Sequence, residues 1–123
     1  MQNENPISAT LVVFNREQAI SALGDAELLA EMAEVFLSEV CGLLERIRCC
    51  VSDGDAVGLG QAAHQLKGAA SNFYAECTVE AALRLEQMGR QNELGSSQEA
   101  LVTLVAEFER LKPELEKIVA SSE

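Results

Sequence analysis

The segment Ala63-His64-Gln65-Leu66-Lys67-Gly68 carries the chain's only histidine, with a lysine three residues on. Leu59, Ala63, Leu66, Ala70 and Phe73 recur at spacings of four, three, four and three, the apolar stripe of a helix buried on one side. At about 100° per residue, His64 projects roughly 130° away from the centre of that stripe. Its neighbours on the outward face are Gly60, Gln61, Lys67 and Gly68, with Ser71 two turns along. An exposed neutral imidazole keeps a lone pair for nucleophilic attack. One His and one Lys with no nearby acid or Ser/Cys nucleophile do not make a hydrolase site. Nor does one His make a closed metal centre, so no metal is expected. Covalent capture of a group, stabilised by an adjacent cation, is the chemistry that these residues fit.

Gly60 and Gly68 stand four residues before and after His64. Each costs roughly 1 kcal/mol relative to alanine in a helix interior. Both are expected on the outward face, baring it so that another molecule docks closely against the imidazole. Lys67 is placed to swing over His64 or over whatever becomes attached to it. Against this stands the bland reading of a solvated surface histidine and lysine, with glycines placed by chance.

The elements that position this face follow from periodicity. Asn15 reads as the N-cap of a short helix through Leu23 that closes at Gly24. Asp25 caps a long helix with apolar positions Leu29, Met32, Phe36, Val40, Leu43, Ile47 and Val51, its end suited by Arg46 and Arg48. Ser52-Asp53-Gly54-Asp55 breaks that helix and caps the next, which carries His64 and runs to about Phe73. Another begins around Cys77 or Thr78, with Val79, Ala82, Leu85 and Met88 inward, and ends near Gly89. Ser96-Ser97-Gln98-Glu99 reads as a capping box for the last helix. Leu101, Leu104, Phe108, Leu111, Leu115 and Ile118 form its stripe, and Pro113 is expected to kink it or start a fresh segment. Short links favour antiparallel neighbours. The expected fold is all-α, an antiparallel up-down four-helix bundle with a short additional N-terminal helix. Residues 1–10 read as a flexible N-terminus and 11–123 as one domain.

Composition narrows the function classes. At 123 residues the chain is long enough for one core, and its 48% hydrophobic content is that of a folded protein. Twenty acidic against nine basic side chains give a net charge of −11, which opposes binding to nucleic acid or an anionic membrane. No apolar run is long enough for a span, and Met1 to Thr10 lacks the basic region of a signal peptide. Cys41, Cys49, Cys50 and Cys77 contain no C-x-x-C spacing and fit a reducing compartment. Cys41, near its helix's stripe, is expected to be buried. A cytoplasmic location is expected.

His64-Gln65-Leu66-Lys67-Gly68, followed by Ala69-Ala70-Ser71-Asn72-Phe73, resembles the signature of histidine-containing phosphotransfer (HPt) domains of bacterial phosphorelays. The likeness covers roughly residues 12–119, with counterparts at Val13-Phe14-Asn15, Leu23-Gly24-Asp25, Gly54-Asp55 and Leu85-Glu86. It implies that His64 accepts a phosphoryl group from an aspartyl phosphate on one receiver domain and passes it to another. It also implies that Lys67 steadies the phosphoryl oxygens and that Gly68 leaves room for the receiver. The partners implied are receiver domains of response regulators or hybrid histidine kinases, which supply Mg²⁺ and an acidic cluster. The chain itself is expected to need no cofactor, to lack kinase activity and to act as a monomer.

Two residues depart from the pattern. Tyr74 stands where a glycine usually follows; if the helix persists that far, its ring lies on the Lys67 flank of the docking face. Thr78 replaces a common leucine and reads as an N-cap. A dimerisation helix of a histidine kinase also displays a histidine, but usually with Thr-Pro after the basic residue, where this chain has Gly68-Ala69. The remaining rival is a helical docking or adaptor protein that binds receivers and transfers nothing. Retention of both His64 and Lys67 favours the carrier.

Overall fold

Local signals place the helix ends of the computed structural model, which describes residues 12–121. The expected loose segment from Met1 to Thr10 lies outside the described residues. Asn15 accepts the Gln18 N–H and starts α1 (Arg16–Leu23), which stops at Gly24. Asp25 accepts the Glu27 N–H at the head of α2 (Ala26–Asp53). Gly54, at φ +70°, takes the left-handed turn that ends α2, and Asp55 then caps α3 (Ala56–Ser71) by accepting the Gly58 N–H. Two further helices follow, α4 (Glu76–Gln91) and α5 (Ser97–Ser121). There is no strand among the described residues.

Helix α2 packs against α3 and α5, and α4 packs against the same two, closing a ring of four. Helix α1 lies on α2. The ring encloses Leu29 and Ile47 from α2, Leu59 and Leu66 from α3, Leu85 from α4, and Leu104, Leu111 and Leu115 from α5, all without exposure. The all-α expectation is met, with the expected four-helix bundle and accessory helix. One end is tied by aromatic rings: Phe73 lies 6.5 Å from Phe14 and 5.3 Å from Phe36, and Phe36 lies 6.2 Å from Phe108. Such tilted and edge-to-face pairs add roughly 0.5–1.5 kcal/mol each beyond the area they bury.

Several local expectations are corrected. Helix α3 stops at Ser71, not Phe73, and Tyr74 sits in the following turn at φ +53°. That is the left-handed conformation glycine adopts most readily, which gives the expected glycine a backbone reason. Thr78 is no N-cap: it is buried in the first turn of α4, whose N-cap position is Ala75. Helix α4 passes Gly89 and closes at Asn92. Arg46 and Arg48 lie well before the last turn of α2, which holds no basic residue. At the start of α5, Ser97 Oγ donates to the Leu94 carbonyl at 2.8 Å. Helix α5 runs through Pro113 without a new segment; the proline is exposed, as is Glu109, whose carbonyl it cannot pair. Cys41 is exposed, one position past the buried Val40, while Cys50 and Cys77 are buried.

Candidate functional site

Burial of Leu59, Ala62, Ala63, Leu66 and Ala70 turns the opposite side of α3 to solvent, and with it His64, whose side chain is 59% exposed. The wall beside it is α4. A Cβ on Gly89 would come within 2.6 Å of both the Ala56 carbonyl and the Gly60 N–H, so α3 and α4 meet there backbone to backbone. One turn further along both helices, this approach brings Glu86 of α4 against His64 and Lys67 of α3. Glu86 Oε2 lies 2.9 Å from His64 Nδ1 and 2.6 Å from Arg90 Nη2, and Oε1 lies 2.8 Å from Lys67 Nζ.

Glu86 is 2% exposed, a carboxylate placed under a solvent-facing imidazole. Burial by itself would raise its pKa. The contacts from Lys67 and His64, with the charges of Lys67 and Arg90, outweigh that and hold it below its ordinary 4.5. Near neutral pH Glu86 is therefore an anion, able only to accept hydrogen bonds. It follows that His64 Nδ1 carries the proton and donates it to Oε2. In the neutral ring the lone pair then resides on Nε2. The arrangement fixes a tautomer, orients the ring and leaves one nucleophilic nitrogen uncovered.

The expected site residues do not all converge. Gln61 and Gly60 line the same cleft as His64, about 640 Å³ in volume, together with Arg46, Val57 and Arg90. Gly60 is not part of a bared outward face, however: it is buried in the α3–α4 contact that Gly89 makes possible. Gly68 is exposed, and a Cβ added there would meet nothing within 4 Å. Lys67 is partly buried, its ammonium drawn to Glu86 and not left free above the ring. Ser71 donates to the Gly68 carbonyl at 2.7 Å and lines, with Tyr74, Glu76, Val79 and Glu80, a separate groove. Because α3 ends before it, Tyr74 does not continue the Lys67 flank, and its partly buried ring packs on the core.

Sequence reasoning placed no acid near His64 and missed Glu86. A signal was there: Glu86 follows Ala82 by four and Val79 by seven, which puts it on the inner face of α4. Arg90, four residues beyond Glu86, was missed with it. Among the described residues no group of three or more His, Cys, Asp or Glu could hold a metal ion. None of the helices described is long and apolar enough to cross a membrane.

A family model described as the Hpt domain matches residues 31–117, from within α2 to within α5. Comparison with curated proteins and with solved structures yields no match.

Proposed function

Because the chain belongs to the Hpt domain family, whose members serve histidine phosphotransfer in phosphorelays, we propose that it is a phosphocarrier with His64 as its acceptor. The observation that carries this reading is the pairing of His64 Nδ1 with buried Glu86 at 2.9 Å, which leaves Nε2 free on an exposed ring. The Nε2 lone pair attacks the phosphorus of an aspartyl phosphate on a receiver domain. The N–P bond forms as the P–O bond to the aspartate breaks, and the carboxylate departs with the electron pair. The ring, still protonated at Nδ1, becomes cationic, and the Glu86 anion stabilises that charge. Reversal of the same step on a second receiver's aspartate discharges the group.

Lys67, held by Glu86 in the free protein, steadies the oxygens of the phosphoryl group once it is in place. Gln61 and Gly68 flank the acceptor on its exposed side, and Gly68 leaves space for a receiver's backbone. Gly60 sets the depth of the cleft beside His64, while the groove of Ser71 and Tyr74 lies apart from it. Mg²⁺ belongs to the receiver in this scheme. The chain has no kinase activity of its own and works as a cytoplasmic monomer.

The test is transfer from a receiver domain charged with radiolabelled acetyl phosphate. Label on the chain should be acid-labile and base-stable, and His64→Gln should abolish it while leaving helix content and Tm nearly unchanged. Label persisting in the variant would refute the assignment of His64. Receiver binding without labelling of the wild type would make the chain an adaptor.

A further inference from the structure

Among the described residues, Arg46 is a cation without an anion. It projects from α2 into the cleft beside His64, and its Nη1 donates at 2.9 Å to Gln65 Oε1, a neutral amide. Glu45, its immediate neighbour in the chain, pairs with Arg48 at 3.0 Å instead. Among the described residues no carboxylate forms an ion pair with Arg46, in a protein where acids outnumber bases twenty to nine. The other cationic wall, Arg90, is already held by Glu86. Among the described residues, no acidic side chain lines the cleft.

Resting on the phosphocarrier reading, we propose that Arg46 anchors a carboxylate side chain on the docking face of the partner receiver and so selects among receivers. A guanidinium has five N–H donors in a planar fork, and Gln65 engages one nitrogen, leaving donors for a paired carboxylate contact. Arg46, Gln65 and His64 line one cleft, so a group bound to Arg46 lies on the same face as the acceptor. Val57, 71% exposed at the cleft's edge, offers apolar surface. A protein side chain would cover that surface, whereas a free inorganic anion would not. Charge complementarity at such a contact contributes to encounter and to partner choice more than to chemistry.

The experiment compares two phosphoryl donors on wild type, Arg46→Gln and Arg46→Lys. One donor is the receiver domain, among those encoded by the source organism, that labels wild type fastest when charged with acetyl phosphate. The other is phosphoramidate, which needs no docking face. With the receiver, Arg46→Gln should raise KM about tenfold and change kcat less than about twofold, with Arg46→Lys between the two. Added salt should raise KM for wild type and much less for Arg46→Gln. Phosphoramidate labelling should be the same in all three. Equal KM values and equal salt dependence would overturn the proposal. So would a loss confined to phosphoramidate labelling, which would mean that Arg46 only steadies Gln65 and His64. If neither donor labels wild-type His64, the phosphocarrier reading itself fails, an outcome distinct from either of these.

Discussion

Glu86 and Glu107 are both buried, 2% and 6% exposed, on the adjacent helices α4 and α5, yet their surroundings differ in kind. Glu107 pairs with Arg110, three residues along its own helix, at 2.8 Å. It also accepts a hydrogen bond from the fully buried Cys77 thiol, which burial first and Glu107 next keep protonated to higher pH than usual. That carboxylate serves the bundle. Glu86 instead gathers Lys67 and His64 from a neighbouring helix and Arg90 from its own, and one of those partners is an exposed imidazole. Arg110 also reaches solvent, but a guanidinium has only donors, whereas the imidazole held by Glu86 keeps a nucleophilic lone pair.

Amide substitutions at the two positions sharpen this contrast. Glu86→Gln should slow phosphoryl acceptance about tenfold, the rate equivalent of one charge-assisted hydrogen bond. Glu107→Gln should leave acceptance within about twofold and lower stability by about 1 kcal/mol. Equal transfer defects would erase the distinction. Because the Glu86 carboxyl sits below its ordinary 4.5 in the folded state, its contribution to stability is present above that pH. It is lost as pH falls through the lowered value. The stability gap between wild type and Glu86→Gln should therefore narrow on acidification from pH 7, as chemical denaturation at several pH values would show.

The glycines divide the same way. Gly89→Ala forces a Cβ into the α3 backbone and should cost about 2 kcal/mol, read by chemical denaturation, because neither helix yields without losing the packing beside it. A Cβ at Gly68 meets nothing within 4 Å, so Gly68→Gln should gain up to about 0.7 kcal/mol from helix propensity, while receiver transfer falls severalfold as its side chain enters the docking space. Unaltered transfer would remove the access argument for Gly68.

Much of the fold was readable because its signals are local. Asn15, Asp25, Gly54 and Asp55 start or stop helices through their own side chains or backbone freedom, and the stripes of α2 and α5 are long enough to set their periods. The site was readable only on α3, where His64, Lys67 and Gly68 share one face. Glu86 lies 22 residues away and reaches His64 through a helix approach set by Gly89, which read as no more than a helix end. Arg46 suffered the same fate, since its neighbour Gln65 is 19 residues distant. Tyr74 was misplaced because α3 ends in a tight turn after Ser71 that periodicity does not register.

The smallest effect is expected there. Tyr74→Gly relieves the positive φ, worth about 1 kcal/mol, but loses the ring's packing on the core, so stability should change by less than about 1 kcal/mol. A change in receiver binding would place the ring on the docking face; a large stability loss with binding unaltered would confine it to the bundle.

The orientation that Glu86 imposes on His64 is tested most directly by NMR of the chain carrying ¹⁵N-labelled histidine, after transfer from a charged receiver. The ³¹P–¹⁵N couplings should place the phosphoryl group on Nε2 of His64, with Nδ1 still protonated. A phosphoryl group on Nδ1, or one found on any other residue, would contradict the account.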